Sequence, residues 1–396
     1  MFKAYKYRLY PNNKQQILLN KHLGSVRFVY NWALEEKMKK YKLEEKNISG
    51  VDLKKQLVNL KNNEETKWLK EINSQSLQEA IVHLDKAFTR FFREKRGFPK
   101  FKRKHRKQSF SCPQNVKIDF NNLIVKLPKI GEIKTIFSRK FKGKVKTCTI
   151  SKTSTNKYFI SILVDTPEEF KVKVKIKKEK AIGIDLGIKD FLITSNGDKI
   201  DNPKYFRKNL YKLRKLQRKI SKKKKGSNNR KKANFKVARM HEKIKNQRTD
   251  FLQKLSTKLI RENQTICLED LNVSGMMKNH KLAKAIASAS WSEFSRMLEY
   301  KAEWYGVNIF KINRFAPSSK MCNKCGWVNK ELKLSDRQFK CAECGYEEDR
   351  DINAARNILD FGLHPKQICH EGVTNHYNID KYSGQELPGE PVEMSR

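Results

Sequence analysis

The sequence predicts a multidomain α+β protein, and three observations carry that expectation. Period-two alternation marks strands at the N-terminus and over residues 115–178. Helical patterning covers about residues 14–95, 204–263 and 284–305. Composition then shifts at KVKVKIKKEK, residues 171–180, after which strands and helices alternate. A chain of 396 residues with 38% hydrophobic and 10% aromatic content can bury two or three cores of this kind.

In FKAYKYRLY, residues 2–10, Tyr5, Tyr7 and Leu9 share one strand face while Lys6 and Arg8 share the other, and Pro11 ends the strand. Val26, Val29, Tyr30, Ala33 and Leu34 fall on one helix face, as do Leu77, Ile81, Leu84, Phe88 and Phe91, the pattern of a bundle core. RGFPKFKRKHRKQSF, residues 96–110, interleaves Phe98, Phe101 and Phe110 with Lys100, Lys102, Arg103, Lys104, Arg106 and Lys107. That mixture suits backbone phosphates and base stacking, though a solvated charged loop has the same composition. Residues 115–178 read as short strands with turns at Asn121-Asn122 and near Thr155-Asn156, and suggest a small barrel. AIGIDLGIKDFLITSNGDKI gives two strands, the second turning at Asn196-Gly197. A long basic helical pair at 204–263 is broken at KKKKGSNNRKK; TICLEDLN is a buried strand, and 284–305 an amphipathic helix. The tail after Leu363 is polar and aperiodic, the composition of a disordered segment.

Lys and Arg number 87 against 42 Asp and Glu, a net charge of +45. So basic a surface calls for a polyanion, DNA or RNA before an anionic membrane. No apolar run approaches bilayer length, and MFKAYKYRLYPNNKQQ has neither the apolar core nor the cleavage site of a signal peptide, so a cytoplasmic protein, nucleoid-associated when bound to DNA, is expected. No helix-turn-helix signature and no two-Cys, two-His finger is apparent.

Of eight cysteines, Cys112, Cys148, Cys267 and Cys369 are scattered. Cys322 and Cys325 form one C-x-x-C pair and Cys341 and Cys344 another, 15 residues apart, each followed by Gly. This is zinc-ribbon spacing: two knuckle turns present four thiolates to one Zn²⁺, and a site closed by sulfur is structural, not catalytic.

The acids stand out against the basic background. Asp351 opens DINAARNIL at the head of the apolar face made by Ala354, Ala355 and Ile358, and taken alone it reads as an N-cap. In AIGIDLGI, alternation sets Asp185 among Ala181, Gly183 and Gly187, opposite Ile182, Ile184 and Leu186, and the small neighbours leave room for a metal ion and a phosphodiester to approach. In TICLEDLN, Glu269 and Asp270 end a strand, and periodicity does not choose between them. Three acids at element ends are what a two-metal phosphodiester-cutting site needs, with Mg²⁺, a hard cation, taking oxygen ligands.

At these residues the chain resembles the transposon-encoded TnpB family, relatives of the type V CRISPR effector nucleases. GIDLGIKDFLITSNG resembles the first segment of a RuvC-type, RNase H-like nuclease domain, LEDLNVSGMMKNHKLAKAIASASWSEFSRMLEYKAEWYG the second, and DRDINAARNIL the third, with CNKCG and CAECG between the last two. YKYRLYPNNKQQ and GFPKFKRKHRKQSF extend the likeness over about residues 1–361. The resemblance implies a wedge barrel (1–12 and 109–178) interrupted by a helical recognition lobe (13–108). It further implies a RuvC-like domain (179–320, with the helical pair 204–263, and 346–362) around an inserted zinc ribbon (321–345). It makes Asp185, Glu269 and Asp351 the magnesium-binding triad, settles Glu269 over Asp270, gives Asp349 no metal role and places Arg337 near the active site. It implies one structural zinc, two catalytic magnesium ions, a guide RNA from the transposon end, and a double-stranded DNA target beside a short motif, with no obligate protein partner. The competing readings are a transposition accessory factor that binds without cutting, and a transposase that joins strands.

Overall fold

The computed structural model describes residues 1–333 and 335–364, and the expected polar tail from residue 365 onward lies outside them. The chain divides into two compact units, 1–171 with 205–250, and 172–204 with 251 onward.

In the first unit, strand β1 (Phe2–Tyr10) runs into helix α1 (Asn13–Glu44). Pro11 cannot extend the ladder, and Asn12 opens the helix with a capping box: its Oδ1 accepts from the Gln15 amide at 2.9 Å, while Gln15 Oε1 accepts from the Asn12 amide at 3.0 Å. Helix α2 (Gly50–Asn62), a 3-10 turn (Glu64–Glu71) and α3 (Ser74–Arg93) complete a helical layer. Its core is the stripe read from sequence: Val26, Val29, Ala33, Leu34, Leu77, Ile81 and Leu84 are all buried.

Strands β2 (Gln108–Cys112), β3 (Lys117–Asp119), β4 (Ile124–Leu127), β5 (Gly131–Ile136), β6 (Lys144–Lys152) and β7 (Tyr158–Asp165) follow. With β1 they form one antiparallel sheet, ordered β2-β6-β7-β1-β5-β4-β3. Both expected turns are present; Asp119 Oδ1 accepts from the Asn121 and Asn122 amides at 2.9 and 3.0 Å, and Asn156 turns at φ 57°. The expected barrel is corrected here. Among the described residues no ladder joins β2 to β3, so the hydrogen bonding is that of an open sheet, in which β1 is a central strand whose tyrosines Tyr5 and Tyr7 face the core. Short strands at hairpin spacing do not distinguish the two, because closure depends on a pairing between the ends of the segment.

The second unit holds β8 (Ala181–Asp185), β9 (Asp190–Thr194) and β10 (Lys199–Asp201), with Gly197 at φ 93° in the turn between the last two. Helices α4 (Tyr205–Ser221) and α5 (Asn228–Glu262) are the basic pair. Sequence reading assigns the pair to the second domain, whereas residues 205–250 group with the first unit. The reason is local: Glu242 accepts from Thr155 Oγ1 at 3.0 Å and pairs with Lys157 at 2.8 Å, both in the β6–β7 turn region. The last turns of α5, from Phe251, supply Leu252, Leu255 and Leu259 to the second core.

Then come β11 (Thr265–Glu269), the short α6 (Val273–Met276), α7 (Ala283–Ala289), α8 (Trp291–Tyr305), β12 (Asn308–Ile312), β13 (Gln338–Lys340), β14 (Glu347–Asp349) and α9 (Arg350–Leu363). The helix expected over 284–305 is two, because Ser290 adopts a left-handed conformation at φ 59° and breaks the ladder. The sheet order is β10-β9-β8-β11-β12, with β11 parallel to both β8 and β12. Helix α9 lies against this sheet in close approach: a Cβ on Gly183 would sit 2.1 Å from the Ala355 carbonyl oxygen, and one on Gly362 would sit 2.3 Å from Cys267 Sγ.

Candidate metal centres and nucleic-acid interface

Asp185 ends β8 and Glu269 ends β11, and these neighbouring parallel strands stop at the same edge. The first turn of α9 brings Asp351 to them. Burial first, then the charges of Glu269 and Asp351, push the Asp185 carboxyl up to about 7. Three acids felt by one another are an arrangement of oxygen donors that could hold cations. Around Asp351 the cationic groups stand off, with Arg350 Nε at 3.7 Å and Arg337 at 3.8 Å. Arg337, expected near the site, is thus beside its third acid and largely exposed.

The capping reading of Asp351 is corrected by its neighbour. Asp349 is the N-cap of α9, its Oδ1 accepting from the Asp351 and Ile352 amides at 3.0 and 3.3 Å, and it pairs with Lys199 at 2.5 Å. Glu347 pairs with Lys340 and Glu348 with Arg356. The acids bordering Asp351 are therefore structural. At the end of β11, Asp270 is held by Arg314, whose guanidinium donates to the carboxylate at 2.8 Å and to the backbone carbonyl at 3.0 Å, while Glu269 points elsewhere. One expectation about β8 fails: the small residue at 183 makes room for the α9 backbone, not for an ion.

Sequence reading missed Ser318, whose hydroxyl donates to Glu269 Oε1 at 2.7 Å. It also missed Asn353 and Asn357, fully buried on α9. A signal for the asparagines was available: two poor helix formers four apart in an apolar helix face. Nothing in the sequence marks Ser318.

The four ribbon cysteines come together, their sulfurs all within 4.8 Å of one another. Cys322 and Cys344 sulfurs lie 3.7 Å apart and Cys325 and Cys341 sulfurs 3.5 Å apart. A tetrahedral zinc–thiolate site with bonds of about 2.3 Å has sulfur–sulfur edges of about 3.8 Å, so the donor set fits zinc. Gly326 and Gly345, at φ 81° and 67°, turn the chain after each pair. Among the described residues only these cysteines form so tight a ligand group.

The basic candidates lie in the first unit. Lys6 and Arg8 project from the face of β1 opposite its tyrosines and lie over the Phe159 ring at 4.6 and 5.5 Å. Burial, then Lys245 and Lys107, depress the Lys6 ammonium, and burial, then Lys104, that of Lys152. The 96–107 segment is an ordered loop: Asn31 brackets the backbone of Lys102 at 2.7 and 3.0 Å, and Gln108 Nε2 donates to the carbonyls of Arg103, Lys104 and Arg106. Lys100, Arg103, Lys104, Arg106 and Lys107 face solvent. Lys102 is exposed as well, and its ammonium sits 3.8 Å from the Tyr30 ring centroid. Of the aromatics expected to stack on bases, Phe110 is core, while Phe98, edge-on to Phe88 and Phe91, and Phe101 are both exposed.

A mostly open-sheet α+β scaffold with a carboxylate edge, a four-thiolate cluster and a basic face defines a class of metal-binding proteins that handle nucleic acid. The chain belongs to the TnpB family. It is 40% identical over 94% of its length, and 92% of the other, to a protein of Streptomyces pristinaespiralis named "Putative RNA-guided DNA endonuclease". It is 35% identical over 99% of its length, and 98% of the other, to "Putative RNA-guided DNA endonuclease InsQ" of Escherichia coli. Residues 160–280 match the OrfB_IS605 family, "Probable transposase", and residues 291–358 the "Cas12f1-like, TNB domain". Residues 1–46 match a family described as "Helix-turn-helix domain", against the reading that no such signature is present; those residues form β1 and one continuous helix, α1. The fold is similar to that in the "Cryo-EM structure of the Cas12f1-sgRNA-target DNA complex", with a TM-score of 0.55 at 15% identity, covering 91% of this chain and 98% of the other.

Proposed function

We propose that this protein is an RNA-guided, metal-dependent DNA endonuclease that hydrolyses phosphodiesters of a double-stranded target beside a short flanking motif. The observation that carries the reading is the carboxylate edge: Asp185 and Glu269 on adjacent parallel strands, with Asp351 near enough that its charge adds to burial and to Glu269 in raising the Asp185 carboxyl. Two magnesium ions held by Asp185, Glu269 and Asp351 would supply an activated water and charge for the leaving oxygen. The protein's own part is to present these acids on rigid strand and helix ends and to hold the polyanion elsewhere. The Cys322, Cys325, Cys341 and Cys344 site takes one structural zinc. Residues 1–12 and 109–178 form the wedge element, 13–108 the recognition lobe, 179–320 and 346–362 the RuvC-like domain and 321–345 the ribbon, with 205–250 packing on the first unit. Lys6, Arg8 and the 96–107 loop contact phosphates, which position nucleic acid without reading it. Base pairing by a bound guide RNA then supplies sequence, as in Cas9-type effectors. Among the described residues no helix is long and apolar enough to cross a membrane.

The test is reconstitution of RNA-free protein with Mg²⁺ and a target plasmid, with and without RNA that co-purifies from its host. Site-specific double-strand cleavage should require the RNA and be lost in Asp185→Ala, Glu269→Ala and Asp351→Ala, while gel-shift binding persists. Strand joining, or site-specific cutting without RNA, would replace this reading with a transposase.

A further inference from the structure

We propose that Ser318 is a positioning residue for Glu269, and that two buried asparagines of α9 tie its place to the cysteine knuckle. The inference rests on the nuclease reading above and deepens it. Ser318 is 5% exposed, and its hydroxyl donates to Glu269 Oε1 at 2.7 Å. That bond occupies Oε1 and fixes which way the carboxylate faces. Glu269 needs such help because its side chain is long and stands at the last ladder pair of β11, Glu269 with Ile312.

Ser318 is itself placed from below. Asn357 Nδ2 donates to the Ser318 carbonyl at 2.7 Å and to the Met321 carbonyl at 2.6 Å. Asn353, one turn earlier on α9, donates to the same Met321 carbonyl at 2.7 Å. Both asparagines also hold the knuckle. Asn353 Oδ1 accepts from the Asn323 amide, and Asn357 Oδ1 from Asn323 Nδ2, each at 3.1 Å. Asn323 follows Cys322 directly. Asn353 and Asn357 are 0% exposed, where an unpaired amide costs stability, and here each uses both its oxygen and its nitrogen. The helix that carries Asp351 at its head is thus joined by buried amides to the four-thiolate cluster and, through Ser318, to Glu269.

The experiment uses the full chain with its RNA. Cleavage rate is titrated against Mg²⁺, and ion binding is followed separately by Mn²⁺ paramagnetic resonance, with zinc content measured in parallel. A hydrogen bond to a charged group is at stake, so Ser318→Ala should raise the half-saturating concentration of both ions by about tenfold or more. Ser318→Thr, which keeps the hydroxyl, should recover most of that loss, and zinc should stay at one per chain in each variant. Asn357→Ala should shift the ion dependence in the same direction and be non-additive with Ser318→Ala. If the parent cuts and binds Mn²⁺ while Ser318→Ala matches it, or if Thr fails to rescue, the positioning role falls. Additivity of the two variants would remove the link through α9. A parent that neither cuts nor binds Mn²⁺ would overturn the nuclease reading and this inference with it.

Discussion

Replacing Gly183 by Ala tests how the sheet and α9 set the carboxylate edge. Gly183 lies in β8, two residues before Asp185, and the Ala355 carbonyl of α9 would be 2.1 Å from the new Cβ, with the Leu359 amide nitrogen at 2.7 Å. Real Cβ contacts stay beyond 3.0 Å, so the helix backbone must retreat by close to an ångström. Neither obstacle is a side-chain end that can swing aside; both are backbone in the middle of a helix. Overpacking of this kind costs about 1–3 kcal/mol. The functional cost should exceed the structural one, because Asp351 travels with α9 while Asp185 and Glu269 stay with the strands. A misplacement near 1 Å at a reacting centre lowers rate by about a hundredfold. The assay is RNA-dependent plasmid cleavage beside thermal melting. Gly24→Ala is the control: in α1 its Cβ would meet only the Arg27 guanidinium at 4.0 Å, so it should stabilise the helix by about 1 kcal/mol without slowing cleavage. A Gly183→Ala protein that cuts and melts like the parent would refute the argument that α9 is seated by that contact.

Three further outcomes are expected. Cys325→Ser should lower zinc content, soluble yield and melting temperature together, since structural zinc contributes about 10 kcal/mol or more in small domains; zinc-free pure parent protein would end that reading. Lys301, buried and donating to Gln253, Ser256 and Thr257, has its ammonium lowered by burial to about 8 from the ordinary 10.5. A lysine whose folded value is lowered costs stability below that value, and the cost disappears as pH rises through 8 to 10.5. Ser256 and Thr257 keep their own acceptors without it, so Lys301→Met should be more stable than the parent at pH 7, with the gap narrowing by up to about 3 kcal/mol by pH 10.5 in denaturant titrations. Binding of duplex DNA should weaken steeply with salt, each neutralised phosphate adding about −0.9 to the log–log slope, and a flat titration would give the charge another purpose.

Asp185 was legible because it interrupts an otherwise apolar strand, while Glu269 over Asp270 and the site role of Asp351 came from the family resemblance; the cluster was legible because C-x-x-C pairs have few other uses outside disulfide chemistry. What escaped depended on contacts between distant segments. No residue in 115–178 says whether the end strands pair, and nothing in KKKKGSNNRKK shows that the β6–β7 turn will claim α5 through Glu242. Ser290 gave no warning of its left-handed turn, since serine seldom adopts one. At Gly183 the residue was noticed and its purpose misread, because a gap for a ligand and a gap for a helix look the same in one dimension.

Helix α9 has a bearing on where the chain can be cut, tagged or lengthened. Over its 14 residues and the cap before them it meets four separate obligations: a cap at Asp349, an acid at 351, two amides turned to the knuckle and a flank against Gly183. Inserting one residue in its first turn would rotate everything beyond by about 100° and move it about 1.5 Å along the axis. No single rearrangement could restore all four. A fusion partner or affinity handle therefore belongs beyond Leu363, and a stop codon just before Asp351 would remove the third acid together with both amides that hold the knuckle.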